Sequence, residues 1–310
     1  MPSGLVRLIN FDDSVTKQKA LIERFKPVII DLKDIGPSSR LWLDKGAAPQ
    51  IRKVLKPEEK GAVTLLGSGD FHQVSTLLIE QFKEPMSVIA LDFHPDWDIL
   101  PPRFGCGSWV SRILEFPNVK NVILLGMSSE DISSFSIQTG NLNSLKDNRV
   151  EIYPYSHRPT KTLFKPVPDN ISIKVEKGII FNTIYWRQLK DENLAEFLVG
   201  VFKRLEAKKA YVSIDKDCLN PDSSLTNWEK GLLSLEELLL IIKLARENLD
   251  IIGADILGDY SPPTARGRIR TFLSRLDHPN DYSAKSMPES EITSINEKTN
   301  IKIIEAFFAN

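Results

Sequence analysis

The stretch Val88-Ile89-Ala90-Leu91-Asp92-Phe93-His94-Pro95-Asp96-Trp97-Asp98 decides how the chain is read. Its first four residues are a continuous apolar run, as a strand buried on both faces requires. The run empties into Asp92, His94 and Asp96. Strand alternation sets side chains at i, i+2 and i+4 on one side, so these three converge on one point. Two carboxylates and an imidazole gathered there repel and desolvate one another unless something positive lies between them. A divalent cation meets that need. Asp and His suit Mn, Zn, Fe or Ni, and the lack of thiolates argues against a structural zinc. The bland alternative is a surface turn whose Asp and His meet only water.

Two further stretches have the same shape. Ala210-Tyr211-Val212-Ser213-Ile214-Asp215-Lys216-Asp217 ends a strand-like run in Asp-x-Asp, and Ala62-Val63-Thr64-Leu65-Leu66-Gly67-Ser68-Gly69-Asp70-Phe71-His72 ends one in a glycine turn with Asp and His. In an open parallel sheet the ligand crevice lies at the carboxyl ends of the strands, so such residues meet there. Strands alternating with helices, such as Asp191–Leu205 and the capping-box helix opening at Ser234-Leu235-Glu236-Glu237, point to a mostly parallel sheet covered on both faces. From 127 to 175 only Val150–Tyr153 reads as a strand; Ile179–Asn182 reads as a further one, and Arg266–Arg275 as a helix. Residues 279–300 are polar and aperiodic and read as a mobile loop. No boundary divides the chain, so residues 1–310 read as one α/β domain.

Composition narrows the partners. A formal net charge of −1 gives no reason to expect nucleic acid or an anionic membrane. With two cysteines, Cys106 and Cys218, no disulfide framework is implied, and a reducing cytoplasm fits. No basic-then-apolar leader opens the sequence, and no run approaches the roughly 20 apolar residues of a membrane span. A cytoplasmic enzyme with a small-molecule substrate is the expectation, and a homo-oligomer is compatible with it.

Taken together, Gly69-Asp70-Phe71-His72, Asp92-Phe93-His94-Pro95-Asp96 and Ser213-Ile214-Asp215-Lys216-Asp217 resemble the arginase/agmatinase (ureohydrolase) family over about residues 60–265. That family shows Gly-Gly-Asp-His, Asp-Ala-His-x-Asp and Ser-x-Asp-x-Asp in this order. The resemblance implies a three-layer α/β/α fold and a two-manganese site, with Ni, Fe or Zn as alternatives, that hydrolyses a linear guanidino-type C–N bond through a metal-bridging hydroxide. It implies His72, Asp92, His94, Asp96, Asp215 and Asp217 as metal ligands. Asp96 would also hydrogen-bond the hydroxide and pass its proton to the departing amine.

Departures from the family pattern are equally informative. Phe71 stands between Asp70 and His72, so either the turn is bulged or His72 misses the metal. Where guanidino enzymes carry a late Glu, this chain has Gly258 with Asp259 one place later. Where they carry a shuttling His, it has Phe104-Gly105-Cys106-Gly107. The metal scaffold reads as kept and the substrate apparatus as rebuilt, with Asp259, Cys106 and Trp97 as candidate substrate contacts. Arginine itself is not the expected substrate. Gly67-Ser68-Gly69 lacks the third glycine of a dinucleotide loop, and His157 and His278 read as solvated loop residues. The competing functions are a single-zinc deacetylase-like amidohydrolase and a metal-binding regulatory protein without catalysis.

Overall fold

A computed structural model describes residues 4–55, 61–163, 167–262, 264–278 and 287–309. Eight strands form the main sheet: β1 (Val6–Asn10), β2 (Val28–Asp31), β3 (Ala62–Gly67), β4 (Met86–Leu91), β5 (Val119–Leu125), β6 (Val150–Tyr153), β10 (Lys209–Asp215) and β11 (Asp250–Leu257). Their order is β2-β1-β3-β11-β10-β4-β5-β6, and every pairing is parallel.

Alternate residues of each central strand feed two separate cores. Val88 and Ala90 of β4, with Val122 and Leu124 of β5, pack with helices Ala47–Val54, Val74–Ile79 and Trp109–Ile113 through Ile51, Leu77 and Ile113. Ile89, Leu91, Ile123 and Leu125 face the opposite way. They pack with helices Leu194–Arg204, Leu235–Asn248 and Glu289–Phe308 through Val201, Leu238 and Ile303. A sheet apolar on both faces needs both covers, hence the three α/β/α layers. The capping box at Ser234 forms as its sequence predicts, with Ser234 and Glu237 exchanging hydrogen bonds.

Two sequence expectations are corrected. The region beyond residue 153 carries a second sheet, β7 (Thr160–Leu163), β8 (Ile173–Glu176) and β9 (Phe181–Trp186), antiparallel in the order β7-β9-β8; the strand expected at Ile179–Asn182 is β9, begun two residues later, and β7 and β8 were not expected. Short, half-exposed strands present too few apolar residues to register as runs. Of the loop expected over 279–300, residues 279–286 lie outside the described residues, but Glu289–Phe308 is one helix. Its buried residues, Ile292, Asn296, Thr299, Asn300, Ile303, Ile304 and Phe307, have helical spacing, but three of the seven are polar. Asn296 bonds the backbone of Leu225, and Asn300 Nδ2 donates to Gln18 and Asp259, so polar side chains are buried there by hydrogen bonding.

Candidate metal centre

The three motif-bearing strands β3, β4 and β10 point the same way, and their carboxyl ends open on one cleft. After β4, Asp92 Oδ1 accepts the backbone N–H of His94 at 2.8 Å, which turns the chain. Strand geometry therefore stops at Leu91, and convergence of Asp92, His94 and Asp96 comes from a loop rather than from strand alternation. Asp96 sits in the left-handed region at φ 47°, a conformation costly for a non-glycine residue. Trp109 Nε1, fully buried, donates to Asp96 Oδ2 at 2.9 Å and holds it there. After β10, Asp215 Oδ1 accepts the N–H of Asp217 at 3.1 Å, and Asp217 Oδ1 in turn accepts the N–H of Phe93 at 3.0 Å, tying the two loops together.

The glycine turn after β3 resolves the Phe71 question. Gly69–Phe71 is a single 3₁₀ turn capped by Ser68, whose Oγ accepts the N–H of Asp70. It sends Phe71 into the core against Phe11, with ring centroids 4.7 Å apart. It also carries His72 into the cluster. His72 Nδ1 lies 3.1 Å from Asp92 Oδ2, 3.2 Å from Asp96 Oδ2 and 3.7 Å from Asp215 Oδ2. His94 Nδ1 lies 3.1 Å from Asp217 Oδ2 and 3.8 Å from Asp92 Oδ1. All six predicted ligands are brought together. Five of them form two groups with metal-holding geometry, His72-Asp92-Asp96 and Asp92-His94-Asp217, which share Asp92, and Asp215 lies beside the first.

The electrostatics ask for a cation. Burial, with Asp96 and Asp217 close by, lifts the Asp92 carboxyl to about 8. Burial and the charges of Asp217 and Asp92 push Asp215 well above the carboxylate range. Burial opposes charge on both imidazoles, yet Asp92 and Asp96 around His72, and Asp217 and Glu229 around His94, raise them well above an ordinary histidine. Protons are thus held where acids would normally lose them. Asp92 Oδ2 is buried without a hydrogen-bond partner. Four carboxylates and two imidazoles, without thiolate, form a hard, oxygen-rich donor set that fits Mn-class ions, and four negative charges match two divalent ones. The residues present fit the metal.

Around this cluster the cleft has a volume of about 320 Å³ and is walled by Trp42, Pro102, Cys106, Trp228 and Leu273. Asp98 and Asp131 add carboxylates on the same side; burial lifts Asp98 to about 6 even though Thr139 Oγ1 donates to it at 2.9 Å. Of the candidate substrate contacts, only Cys106 lines the cleft. Trp97 is 1% exposed and belongs to the core. Asp259 is turned away and buried against Lys216 Nζ at 2.9 Å and Gln18 Nε2 at 2.7 Å. Gly258 adopts φ 86°, and a Cβ there would meet Lys216 N at 2.7 Å and Asp215 Oδ1 closer still. No glutamate fits at that position.

Sequence reasoning missed several neighbours. His278, expected in solvent, is 1% exposed and binds Asp70 Oδ1 through Nε2 at 2.7 Å, while Arg40 pairs with the same carboxylate. Trp228 Nε1 also donates to Asp70 Oδ1, at 3.1 Å, which seats the indole beside His94. Glu229 Oε2 lies 3.2 Å from His94 Nε2.

Comparison with solved structures agrees with the fold. The arginase of Bacillus subtilis aligns over 99% of both chains at 13% identity and a TM-score of 0.56. The Entamoeba histolytica arginase, solved with L-ornithine, aligns over 100% of both at 12% identity and 0.58. Proclavaminate amidino hydrolase from Streptomyces clavuligerus covers 98% of this chain and 94% of its own at 13% identity and 0.51. The chain has the arginase fold. No protein-family model matches the sequence. An uncharacterized protein of Thermotoga maritima is 26% identical over 215 residues, 69% of this chain but only 64% of that relative's length. The arginase fold thus carries here a sequence far from its solved examples, and among the described residues no helix is long and apolar enough to cross a membrane.

Proposed function

We propose that the chain is a divergent ureohydrolase, a hydrolase that holds two Mn-class divalent cations and cleaves a linear C–N bond of a guanidino or related small molecule. The observation that carries this reading is the pair of donor groups that share Asp92. His72, Asp92 and Asp96 would hold one ion and Asp92, His94 and Asp217 the other, with Asp215, 3.7 Å from His72, completing the set. When bound, such a pair supplies Lewis acidity that makes water a nucleophile near neutral pH. In this reading Asp96, oriented by Trp109, accepts the water's proton at its carboxylate and hands it to the departing amine. Trp228 and Trp42 exclude bulk water and flank the substrate, and Cys106 lines its path.

Arginine is not the substrate in this reading. Gly258 leaves no room for a carboxylate partner to its guanidinium, and residues 104–107 supply no histidine. Metal analysis after Mn²⁺ reconstitution, followed by a panel of guanidino, formimino and acyl-amine substrates, tests the proposal. About two ions per chain and turnover of one class support it. Fewer than one ion per chain overturns it, and one zinc per chain returns the deacetylase-like alternative. Arginine turnover at ordinary enzyme rates, about 1–10³ s⁻¹, would overturn the exclusion of arginine.

A further inference from the structure

One buried carboxylate takes no part in lining the cleft. Asp255 lies within β11, fully buried, and accepts hydrogen bonds from Ser213 Oγ at Oδ1 and from Tyr211 Oη at Oδ2, each 2.7 Å. Both donors stand on the neighbouring β10, two residues apart and so on one face of the sheet. Ser213 Oγ is also 2.9 Å from His72 Nε2. A serine hydroxyl has one hydrogen, and an ionised carboxylate can only accept. With that hydrogen given to Asp255, the serine oxygen is left to accept, so Nε2 of His72 must be the donor. In the neutral ring that a cation requires, Nδ1 then faces the Asp92, Asp96 and Asp215 oxygens with its lone pair. The opposite tautomer would set an N–H against those oxygens, satisfy them, and close the position to a cation.

We propose that Asp255, acting through Ser213 and braced by Tyr211, is a positioning residue that fixes His72 in the Nε2–H form and so makes Nδ1 the metal-binding atom. The inference rests on the reading that the cluster holds cations. Partners of this kind behind a ligating histidine are typically worth about 10- to 100-fold in metal affinity.

The experiment is a long-range ¹H–¹⁵N spectrum of the full chain loaded with Zn²⁺, a diamagnetic probe. Zn²⁺ and Mn²⁺ titrations of the unaltered chain, Ser213→Ala, Asp255→Asn and Tyr211→Phe accompany it, with circular dichroism to check folding. The expected result is a hydrogen on His72 Nε2, affinity lowered about 10- to 100-fold in Ser213→Ala and Asp255→Asn, and a smaller loss in Tyr211→Phe. A hydrogen on Nδ1 in the loaded protein overturns the assignment. So does a folded Ser213→Ala chain whose affinity stays within about two-fold of the unaltered one, against the range expected for such partners. Should the variants not fold, the spectrum of the unaltered chain decides alone. A chain that binds Zn²⁺ through Nδ1 yet hydrolyses nothing in the panel keeps this assignment and removes the hydrolase reading.

Discussion

The two halves of the cluster are built from the same residue types but set in different surroundings. His72 is 1% exposed, locked between Trp109 and the Ser213–Asp255 pair inside the sheet. His94 is 16% exposed at the cleft rim, and its outer nitrogen meets Glu229, a side chain 42% exposed. A sealed half keeps its geometry because every neighbour is packed; the rim half is packed on its inner side, against Asp92 and Asp217, but its outer contact, to Glu229, is one that water can replace. The buried half is therefore expected to hold its ion more tightly and the rim half to exchange it.

Variants can break that contrast, beginning with the residue common to both halves. Asp92→Asn is expected to abolish cation binding in each, with activity falling below detection; one ion retained at full affinity, by metal analysis, would show that the halves are independent. Next in size is the pH response of the metal-free protein. Unfolded, the Asp92 carboxyl titrates near 3.8, whereas folded it holds its proton to about 8. Each pH unit between those values favours the unfolded state, by at most about 1.4 kcal/mol for one such group. His72 and His94, raised above 6.5, contribute stability below that value and lose it as pH climbs through their folded values. Both effects have one sign: the thermal midpoint of metal-free protein should fall from pH 5 to 8, and added Mn²⁺ should recover most at the alkaline end. A midpoint that rises over this window contradicts the cluster's electrostatics.

Smaller effects separate the halves. His72→Ala and His94→Ala should each leave one ion per chain by metal analysis, with the retained ion tighter in His94→Ala. Equal affinities would erase the asymmetry. Least of all, Glu229→Gln should weaken cation binding about five-fold or less, the range of a solvent-exposed charge pair. A loss as large as that expected of Ser213→Ala would make the rim as rigid as the interior.

The same division explains what could be read from the residues alone. Parallel strands buried on both faces appear as unbroken apolar runs, so β4, β10 and β3 were legible, and ligands placed directly at their ends were legible with them. His72 was uncertain because a 3₁₀ turn leaves no hydropathy pattern. The link of Ser213 and Tyr211 to Asp255 was hidden because within a strand Tyr211 and Asp255 read as ordinary strand residues, and only the register of β10 on β11 brings the three together. His278 and the helix Glu289–Phe308 were misread because polar side chains buried by hydrogen bonding look like solvent-facing ones.

Gly258 has one more implication. Its left-handed backbone presses against the turn that carries Asp215 and Asp217, so a side chain introduced there would dislodge these aspartates before it could greet a substrate. Attempts to redesign this scaffold toward arginine by grafting the missing acid in place should destroy the centre they aim to equip. New selectivity has to be built on the facing wall, along Leu41-Trp42 and Leu100–Gly107, where the cleft leaves space for it.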